Sequence, residues 1–246
     1  MTAGEFLAAL TQLPLGTLHD LTANAPFVVL SPHPDDETLG AGGLIAATCA
    51  TGQRVDVVVI SDGAGSHPHS KAYPAQRLIA LRQAEVEAAG ALLGLKPDSV
   101  RHLGLPDTQV PSSGPAFEAA VEAIVDLCNR AGARSLFVTW DGDPHCDHEA
   151  TARMAQAVRR RMPSLKLWAY PIWGWHLDPA LPLDRAPPVG FRLDISAHQA
   201  VKRNAIAAHV SQMTALIDDD PEGFRFTDAT LAPFLGPSEY FIAVAP

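Results

Sequence analysis

Residues 27–37 read FVVLSPHPDDE and join a predicted buried strand to a cluster of ionisable side chains. The apolar run Phe27–Leu30 stops at Ser31-Pro32, which is typical of a short strand inside a sheet. One imidazole, His33, and three consecutive carboxylates follow directly. In an open α/β sheet, ligands bind beyond the carboxyl ends of the strands. The segment therefore predicts a functional site at the end of the first strand.

A second polar segment, DGDPHCDH at residues 141–148, follows another predicted strand at 135–140. Three adjacent acids repel one another, and a divalent cation removes that conflict because it favours ionised carboxylate together with neutral imidazole. His33 and Asp36 with His148 would supply two nitrogens and one oxygen and leave a position open, as in a catalytic zinc site. The spacing alone does not fix which histidine and which acid bind. A solvated acidic loop and structural histidines remain the alternative.

Strands and helices alternate outward from this first strand. The pattern predicts a Rossmann-like, mostly parallel sheet sandwiched by helices, which is an α/β fold. Residues 1–25 form a predicted N-terminal extension that packs on one domain, residues 26–246. Glycines 40, 42 and 43 lack the spacing of a phosphate loop and predict close helix–sheet packing instead. Strands are predicted at 27–30, 55–60, 100–105, 135–140, 165–170, 191–195 and 240–244, and helices at 38–51, 74–95, 116–130, 149–162 and 197–216.

Composition excludes several classes of protein. The 246 residues carry 27 acidic and 18 basic side chains, a formal charge of −9, which argues against a nucleic-acid-binding protein. No stretch approaches the roughly 20 apolar residues of a membrane span. The three cysteines form no CxxC pair and fit a reducing compartment, so we expect a cytoplasmic protein without a signal peptide. The sequence leaves a homo-oligomer open.

Residues 28–46, VVLSPHPDDETLGAGGLIA, closely resemble the signature of the PIG-L/LmbE-like zinc-dependent de-N-acetylases, in which a strand precedes HPDDE. Residues 143–148, DPHCDH, are similar to the HPDH motif of that family, with Cys146 where proline is usual. The resemblance covers roughly residues 26–215 in the family's order. Shorter similarities are RQAE at 82–85, LG at 93–94, LPD at 105–107, and Lys202 with HVSQ at 209–212.

The resemblance implies an LmbE-like fold and assigns roles within the two polar segments. His33, Asp36 and His148 would hold zinc, although Fe(II) also suits two histidines and one carboxylate. Asp35 would act as general base. His145, in its protonated form, would stabilise the tetrahedral intermediate, or it would only orient the metal-binding loop.

Four further residues receive expectations, three of them with an alternative. By resemblance, Arg82 contacts the substrate, but it also stands three residues before Glu85 on one predicted helix and could pair with it. Asp107 would bond sugar hydroxyls or simply begin a turn. Asp147 is expected to accept the other N–H of a metal-bound imidazole. Cys146 is either a soft ligand or, more in keeping with its place between two histidines, a small side chain pointing away.

These expectations describe a metal-dependent hydrolase that removes an N-acetyl or other N-acyl group from a small amino-sugar conjugate. The alternatives are an amidase acting on a thiol conjugate or another non-sugar amide, and a non-catalytic metal- or carbohydrate-binding module. Tryptophans 168, 173 and 175 either stack on sugar or pack in the core, and His176 shares that uncertainty. His67 and His69 either line the mouth of the site or are solvated.

Overall fold

The structure is a computed structural model that describes residues 1–245 and contains an eight-stranded sheet. The strands are β1 Leu15–Gly16, β2 Phe27–Ser31, β3 Val55–Ser61, β4 Val100–Leu105, β5 Ser135–Thr139, β6 Lys166–Tyr170, β7 Gly190–Asp194 and β8 Ser238–Ala243. The α-helices are α1 Ala3–Thr11, α2 Leu18–Thr22, α3 Asp36–Ala50, α4 Ala75–Leu93, α5 Gly114–Ala131, α6 Cys146–Arg161, α7 Gln199–Ala207, α8 Val210–Met213 and α9 Asp228–Leu231.

The strand order is β1-β7-β8-β6-β5-β2-β3-β4, and every pairing is parallel except those of β8 with β6 and β7. After β2, the chain adds β3 and then β4 on one side of that strand. It then returns to place β5 on the other side of β2, with β6 beyond it. The order of the sheet thus reverses between β2 and β5, and a crevice at such a reversal is where open α/β sheets bind ligands.

Helices cover both faces of the sheet, as the sequence predicted. Alternate residues of β2 point to opposite sides, because side chains alternate along a strand. Phe27 and Val29 pack with apolar residues of α3, α4 and α7, whereas Val28 and Leu30 pack with those of α5 and α6. This α/β/α arrangement confirms the predicted fold class.

Two glycine positions explain local features of the helices. Gly94 ends α4 with φ +88°, a left-handed conformation that favours glycine at a helix C-terminus. Gly40 of α3 lies against the Tyr170 ring, and a Cβ built there would stand 2.0 Å from Cδ2 of that ring. The glycines after the HPDDE motif therefore allow α3 to pack closely on the sheet, as predicted.

Residues 1–25 fold onto the domain through α1, β1 and α2. Phe6 of α1 stacks on Trp140 with ring centroids 4.8 Å apart, and Leu15 and Gly16 pair in parallel with β7. The segment consequently extends the sheet by one short edge strand in addition to packing on it.

The single helix predicted at 197–216 is wrong. A short 3₁₀ turn at Ser196–His198 leads into α7, the helical path stops at Ala208–His209, and α8 resumes for four residues. The buried ring of His209 lies 3.2 Å from Thr38 Oγ1, a tertiary contact that apolar periodicity cannot reveal. The other predicted helices differ from the observed ones by one to three residues at their ends. Within residues 1–245 no helix is both long and apolar enough to cross a membrane.

Candidate active site

The two polar segments meet at the carboxyl ends of neighbouring strands. HPDDE follows β2 and leads into α3, and residues 141–148 follow β5 and lead into α6. The segments after β3 and β4 reach the same place, since Asp107 Oδ2 accepts a hydrogen bond of 2.8 Å from Gly65 N. All the sequence-predicted site residues in these segments thus lie around one crevice.

The HPDDE turn is fixed by buried hydrogen bonds. Ser31 Oγ lies 2.6 Å from the His33 carbonyl oxygen and 2.7 Å from Glu37 Oε2, and it accepts a bond of 3.0 Å from Glu37 N. Asp35 has φ +147° and ψ −26°, a conformation that non-glycine residues rarely adopt. Backbone strain of this kind persists only where the surroundings impose it, and it concentrates at functional sites.

Three donor atoms form a triangle at the centre of the crevice. His33 Nδ1, His148 Nε2 and Asp36 Oδ2 are each 3.3 Å from the other two. Ligands about 2.05 Å from a tetrahedral ion stand about 3.3 Å from one another. These three atoms therefore fit three corners of a tetrahedral metal site, with the fourth corner free.

Buried carboxylates occupy the other nitrogen of each ring. His33 Nε2 lies 3.1 Å from Asp147 Oδ2 and 3.2 Å from Asp107 Oδ1, and His148 Nδ1 lies 2.9 Å from Asp143 Oδ2. Such contacts fix the tautomer and leave the remaining nitrogen free to bind an ion. Asp147 lies where the sequence placed it. The corresponding contact of Asp143 was missed, because its partner becomes visible only in three dimensions.

His145 offers two other ligand sets. Its ring nitrogen lies within 4.8 Å of donors from His33 and His148, and within 4.8 Å of donors from Cys146 and Asp147. However, His145 Nδ1 accepts a bond of 3.2 Å from Asp147 N, so that nitrogen is already engaged with the backbone. The exposed Cys146 thiol lies 3.5 Å from the Thr108 carbonyl oxygen.

The buried charges of the triangle compensate one another. Burial disfavours charge on all three residues, but the contacts between them prevail. His148 and His33 lower the pKa of Asp36. Asp36 and Asp143 raise the pKa of His148 to about 9. The pKa of His33 is raised well above its usual value by Asp107, Asp147 and Asp36.

Asp35 faces Arg82 at the bottom of the crevice. Arg82 Nη2 lies 3.1 Å from Asp35 Oδ2 and also donates to the Pro34 carbonyl, while Nη1 donates to the Gly63 carbonyl. Burial raises the pKa of Asp35 to about 8 despite the opposing effect of Arg82. The alternative in which Arg82 pairs with Glu85 is wrong: the Glu85 carboxylate accepts two bonds of 2.7 Å from Ser211 instead.

The ring of His145 lies beside His33, with ring centroids 4.6 Å apart and nearly perpendicular planes. Burial lowers the pKa of His145, and the charges of His33 and His148 lower it further. The protonated ring expected from the sequence is therefore disfavoured. Because Nδ1 accepts the Asp147 N–H, the neutral ring carries its hydrogen on Nε2 and can still donate a hydrogen bond.

A cavity of about 240 Å³ opens from the donor triangle. Its polar lining includes His33, Asp35, Asp36, Arg82, Asp107 and His145, and its apolar lining consists of Trp173, Phe224 and Phe226. A larger open groove of about 650 Å³ borders the start of β6 and contains none of the predicted site residues. Most of the predicted site residues therefore line the smaller cavity, and none of them lines the larger groove.

The remaining aromatic and histidine residues divide between core and surface. Trp168 is buried in β6 and donates to the Leu21 carbonyl, and Trp175 meets Tyr240 edge to face, so only Trp173 reaches the cavity. The buried His67 packs against Gly223. His69 and His176 are exposed.

Comparisons with known proteins show similarity in sequence and in fold. A 1D-myo-inositol 2-acetamido-2-deoxy-alpha-D-glucopyranoside deacetylase of Saccharomonospora viridis is 25% identical, with 85% of this chain and 91% of that protein covered. The N,N'-diacetylchitobiose deacetylase of Pyrococcus horikoshii has a similar fold, with a TM-score of 0.68, 20% identity, and coverage of 97% of this chain and 92% of that one. GalB, the 4-carboxy-2-hydroxymuconate hydratase of Pseudomonas putida KT2440, has the same TM-score of 0.68 at 17% identity, covering 90% and 97%. The family described as PIG-L, GlcNAc-PI de-N-acetylase, matches residues 28–159, more than half of the sequence, and the chain belongs to this family.

Proposed function

We propose that the protein is a metal-dependent hydrolase that removes an N-acetyl or other N-acyl group from a small amino-sugar conjugate. The observation that carries the proposal is the donor triangle of His33, His148 and Asp36, with its 3.3 Å edges, at the end of a cavity that also contains Asp35 and His145. A protein that only stores an ion has no need of the last two residues. The activities named for relatives of the family, including the inositol conjugate deacetylase, support the choice of amide and sugar.

We propose zinc as the ion, held by His33 Nδ1, His148 Nε2 and the Asp36 carboxylate. Two imidazoles and one carboxylate are a common ligand set for catalytic zinc, and they also suit Fe(II). A bound ion would polarise the amide carbonyl and make a water molecule more acidic. Asp147 and Asp143 would keep the two rings in the correct tautomer.

Asp35 is proposed as the general base. Its carboxylate would take a proton from the attacking water and return it to the leaving nitrogen, a task worth about 10²–10⁴ in rate. The buried Arg82 guanidinium fixes the Asp35 side chain through a contact of 3.1 Å and opposes the effect of burial on its pKa. We therefore propose that Arg82 acts through Asp35 in addition to any contact with the substrate.

His145 is proposed to donate a hydrogen bond from Nε2–H to the oxygen that becomes negatively charged in the tetrahedral intermediate. Loss of one such donor typically costs about 10²–10³ in rate. The neutral ring can do this without the proton that burial disfavours. Asp107, at the rim of the same cavity, keeps its expected role of binding a sugar hydroxyl, although it also lies 3.2 Å from His33 Nε2.

The size of the cavity limits the substrate. About 240 Å³ is less than the roughly 300–1,000 Å³ typical of pockets for drug-sized ligands. One acylated sugar ring fits that volume, and the rest of a larger conjugate would extend out of the opening.

The three free cysteines are consistent with a cytoplasmic enzyme.

The experiment is an amine-release assay with zinc-loaded protein and methyl N-acetylglucosaminide, before and after chelation and after zinc is restored. We expect hydrolysis that chelation abolishes and zinc restores. Hydrolysis that survives complete metal removal would contradict the proposal. An N-acylcysteine amide tests the thiol-conjugate alternative, and saturable sugar binding without any amine release would indicate a binding module.

A further inference from the structure

Three aromatic rings form an apolar wall of the cavity, which we call the aromatic wall: Trp173, Phe224 and Phe226. Trp173 and Phe226 are parallel to within 1°, with ring centroids 5.8 Å apart. Phe224 meets both edge on, at 5.5 Å from Trp173 and 4.9 Å from Phe226. The wall borders the same cavity as the donor triangle and Asp35, so a substrate held for reaction there lies within reach of it.

Backbone hydrogen bonds hold the aromatic wall in place. Phe224 N donates to the Ser66 carbonyl at 2.7 Å, and Phe226 N donates to the Gln212 carbonyl at 2.9 Å. The residues on each side of Trp173 are held as well, because Ile172 N and Gly174 N both donate to the Asp143 carboxylate. Rings that are already ordered cost little further entropy when a ligand contacts them.

The segment that carries Phe224 and Phe226 is also held a few residues earlier, at Asp219 and Asp220. The Asp219 carboxylate accepts hydrogen bonds from Ser70 Oγ at 2.6 Å and from Lys71 N at 2.8 Å. The neighbouring Asp220 accepts one of 2.8 Å from His69 N. These bonds join the segment after β3 to the segment after α8, which carries Phe224 and Phe226.

The arrangement of the rings indicates what they bind. A sugar stacks on an open aromatic face, and the contacts of Trp173 with Phe226 in parallel, with Phe224 edge on, and with His176 at 6.0 Å leave less of its face open. The half-buried Trp173 and Phe224 expose apolar carbon without a charged group of their own. We propose that the aromatic wall is a subsite for an apolar group of the substrate, adjacent to the amide that is cleaved.

The proposal rests on the proposed hydrolase function and makes its substrate class more specific. The apolar group has two sources: an N-acyl chain longer than acetyl, or an alkyl or aryl group linked to the sugar. Both bury carbon against the same rings. Each methylene fully buried there would raise kcat/KM by up to about fourfold.

Two substrate series separate these sources in the zinc-loaded enzyme. One keeps the N-acetyl group and lengthens the glycoside from methyl to pentyl, and the other keeps the methyl glycoside and lengthens the acyl group from acetyl to hexanoyl. We expect kcat/KM to rise with chain length in one series and to stay flat in the other. In Trp173→Ala and in Phe224→Ala the rise should fall by at least half.

Trp175→Ala is the matched control, because Trp175 lies two residues further along the same turn but packs on Tyr240 outside the cavity. It should keep the wild-type dependence on chain length. Flat profiles in both series for the wild type, or an unchanged rise in both Trp173→Ala and Phe224→Ala, would overturn the proposal. If Trp173→Ala does not fold, Phe224→Ala still tests the proposal, because Phe224 is only half-buried.

A binding measurement separates this proposal from the proposed function. Calorimetry with the possible products, alkyl glucosaminides and the carboxylates from acetate to hexanoate, does not depend on turnover. Affinity that rises with chain length and falls in Phe224→Ala supports the subsite even if no amide is hydrolysed. Hydrolysis accompanied by affinities that do not change with chain length would overturn the subsite and leave the hydrolase function standing.

Discussion

The Asp143 carboxylate connects the candidate metal centre to the turn that carries Trp173 of the aromatic wall. Oδ2 lies 2.9 Å from His148 Nδ1 and accepts a bond of 2.9 Å from Ile172 N, while Oδ1 accepts one of 2.7 Å from Gly174 N. All three donors face an acceptor that is buried. Asp143→Asn keeps the shape of the side chain but turns one acceptor oxygen into an N–H donor. At least one of the N–H groups that bond to the carboxylate would then face the amide N–H of the asparagine.

The expected loss follows from these contacts. Removing a carboxylate that orients a metal-bound histidine typically lowers metal affinity 10–100-fold. Since a factor of ten corresponds to about 1.36 kcal/mol, the change should cost about 1.4–2.7 kcal/mol of zinc binding. This agrees with the roughly 1.5–3 kcal/mol expected for one hydrogen bond to a charged group.

Competition with a chromogenic chelator measures the zinc affinity directly. The matched control is Asp141→Asn, two residues earlier in the same segment, where the exposed carboxylate pairs with Arg185 at 2.7 Å. That surface pair contributes about 0–1 kcal/mol to stability, and zinc affinity should remain within about twofold of wild type. Wild-type affinity in Asp143→Asn, or an equal loss in Asp141→Asn, would refute this account of how His148 is held.

Three further changes test other parts of the structure. Asp35→Asn keeps the size and shape of the side chain and should lower kcat by about 10²–10⁴ while the bound zinc, measured by elemental analysis, is retained. The buried His209 has its pKa lowered to about 3 by burial and by Arg82, so the unfolded chain binds a proton first as the pH falls below about 6.5. In urea unfolding, the change in stability between pH 7 and pH 5 should be about 2 kcal/mol less favourable for the wild type than for His209→Gln. Gly40→Ala would place Cβ 2.0 Å from the Tyr170 ring and should lower the free energy of unfolding by about 1–3 kcal/mol in thermal melts.

The central strands could be predicted because their pattern is local. β2, β3 and β5 are mostly apolar runs, interrupted within β3 only by Asp56, as expected for parallel strands buried on both faces. The edge strand Leu15–Gly16 was not predicted, because two residues cannot show alternation. The order of the strands and the reversed direction of β8 depend on contacts between segments distant in the sequence. The break at Ala208–His209 has the same origin, since the buried His209 ring contacts Thr38 on another helix.

Residue types and predicted strand ends were enough to predict which segments form the candidate site. The sequence brought HPDDE and residues 141–148 to one edge of the sheet, and their donors do lie together. It could not show that Arg82 turns away from Glu85 toward Asp35, because Glu85 is a plausible i,i+3 partner whereas Asp35 lies 47 residues away and comes close only in the folded chain. The contact of Asp143 with His148 was equally hidden, since Asp141, Asp143 and Asp147 look alike in the sequence.

Fold similarity does not identify the reaction. A chitobiose deacetylase and a hydratase match this chain with the same TM-score of 0.68. Function on a shared fold is decided by the side chains at the site. The argument for hydrolysis must therefore rest on groups that do more than hold an ion.

Asp35 and Asp36 provide that argument, because two identical neighbouring side chains are placed in opposite environments. Asp36 lies between two imidazoles that lower its pKa, as befits an ionised ligand. Asp35 has a strained backbone and a buried carboxylate with a raised pKa, and Arg82 restrains its position. Environments that push the pKa values of neighbouring acids apart separate a group that stays charged from one that exchanges a proton. A binding module would gain nothing from keeping Asp35 in that strained conformation, whereas a hydrolase needs a proton acceptor beside its ion.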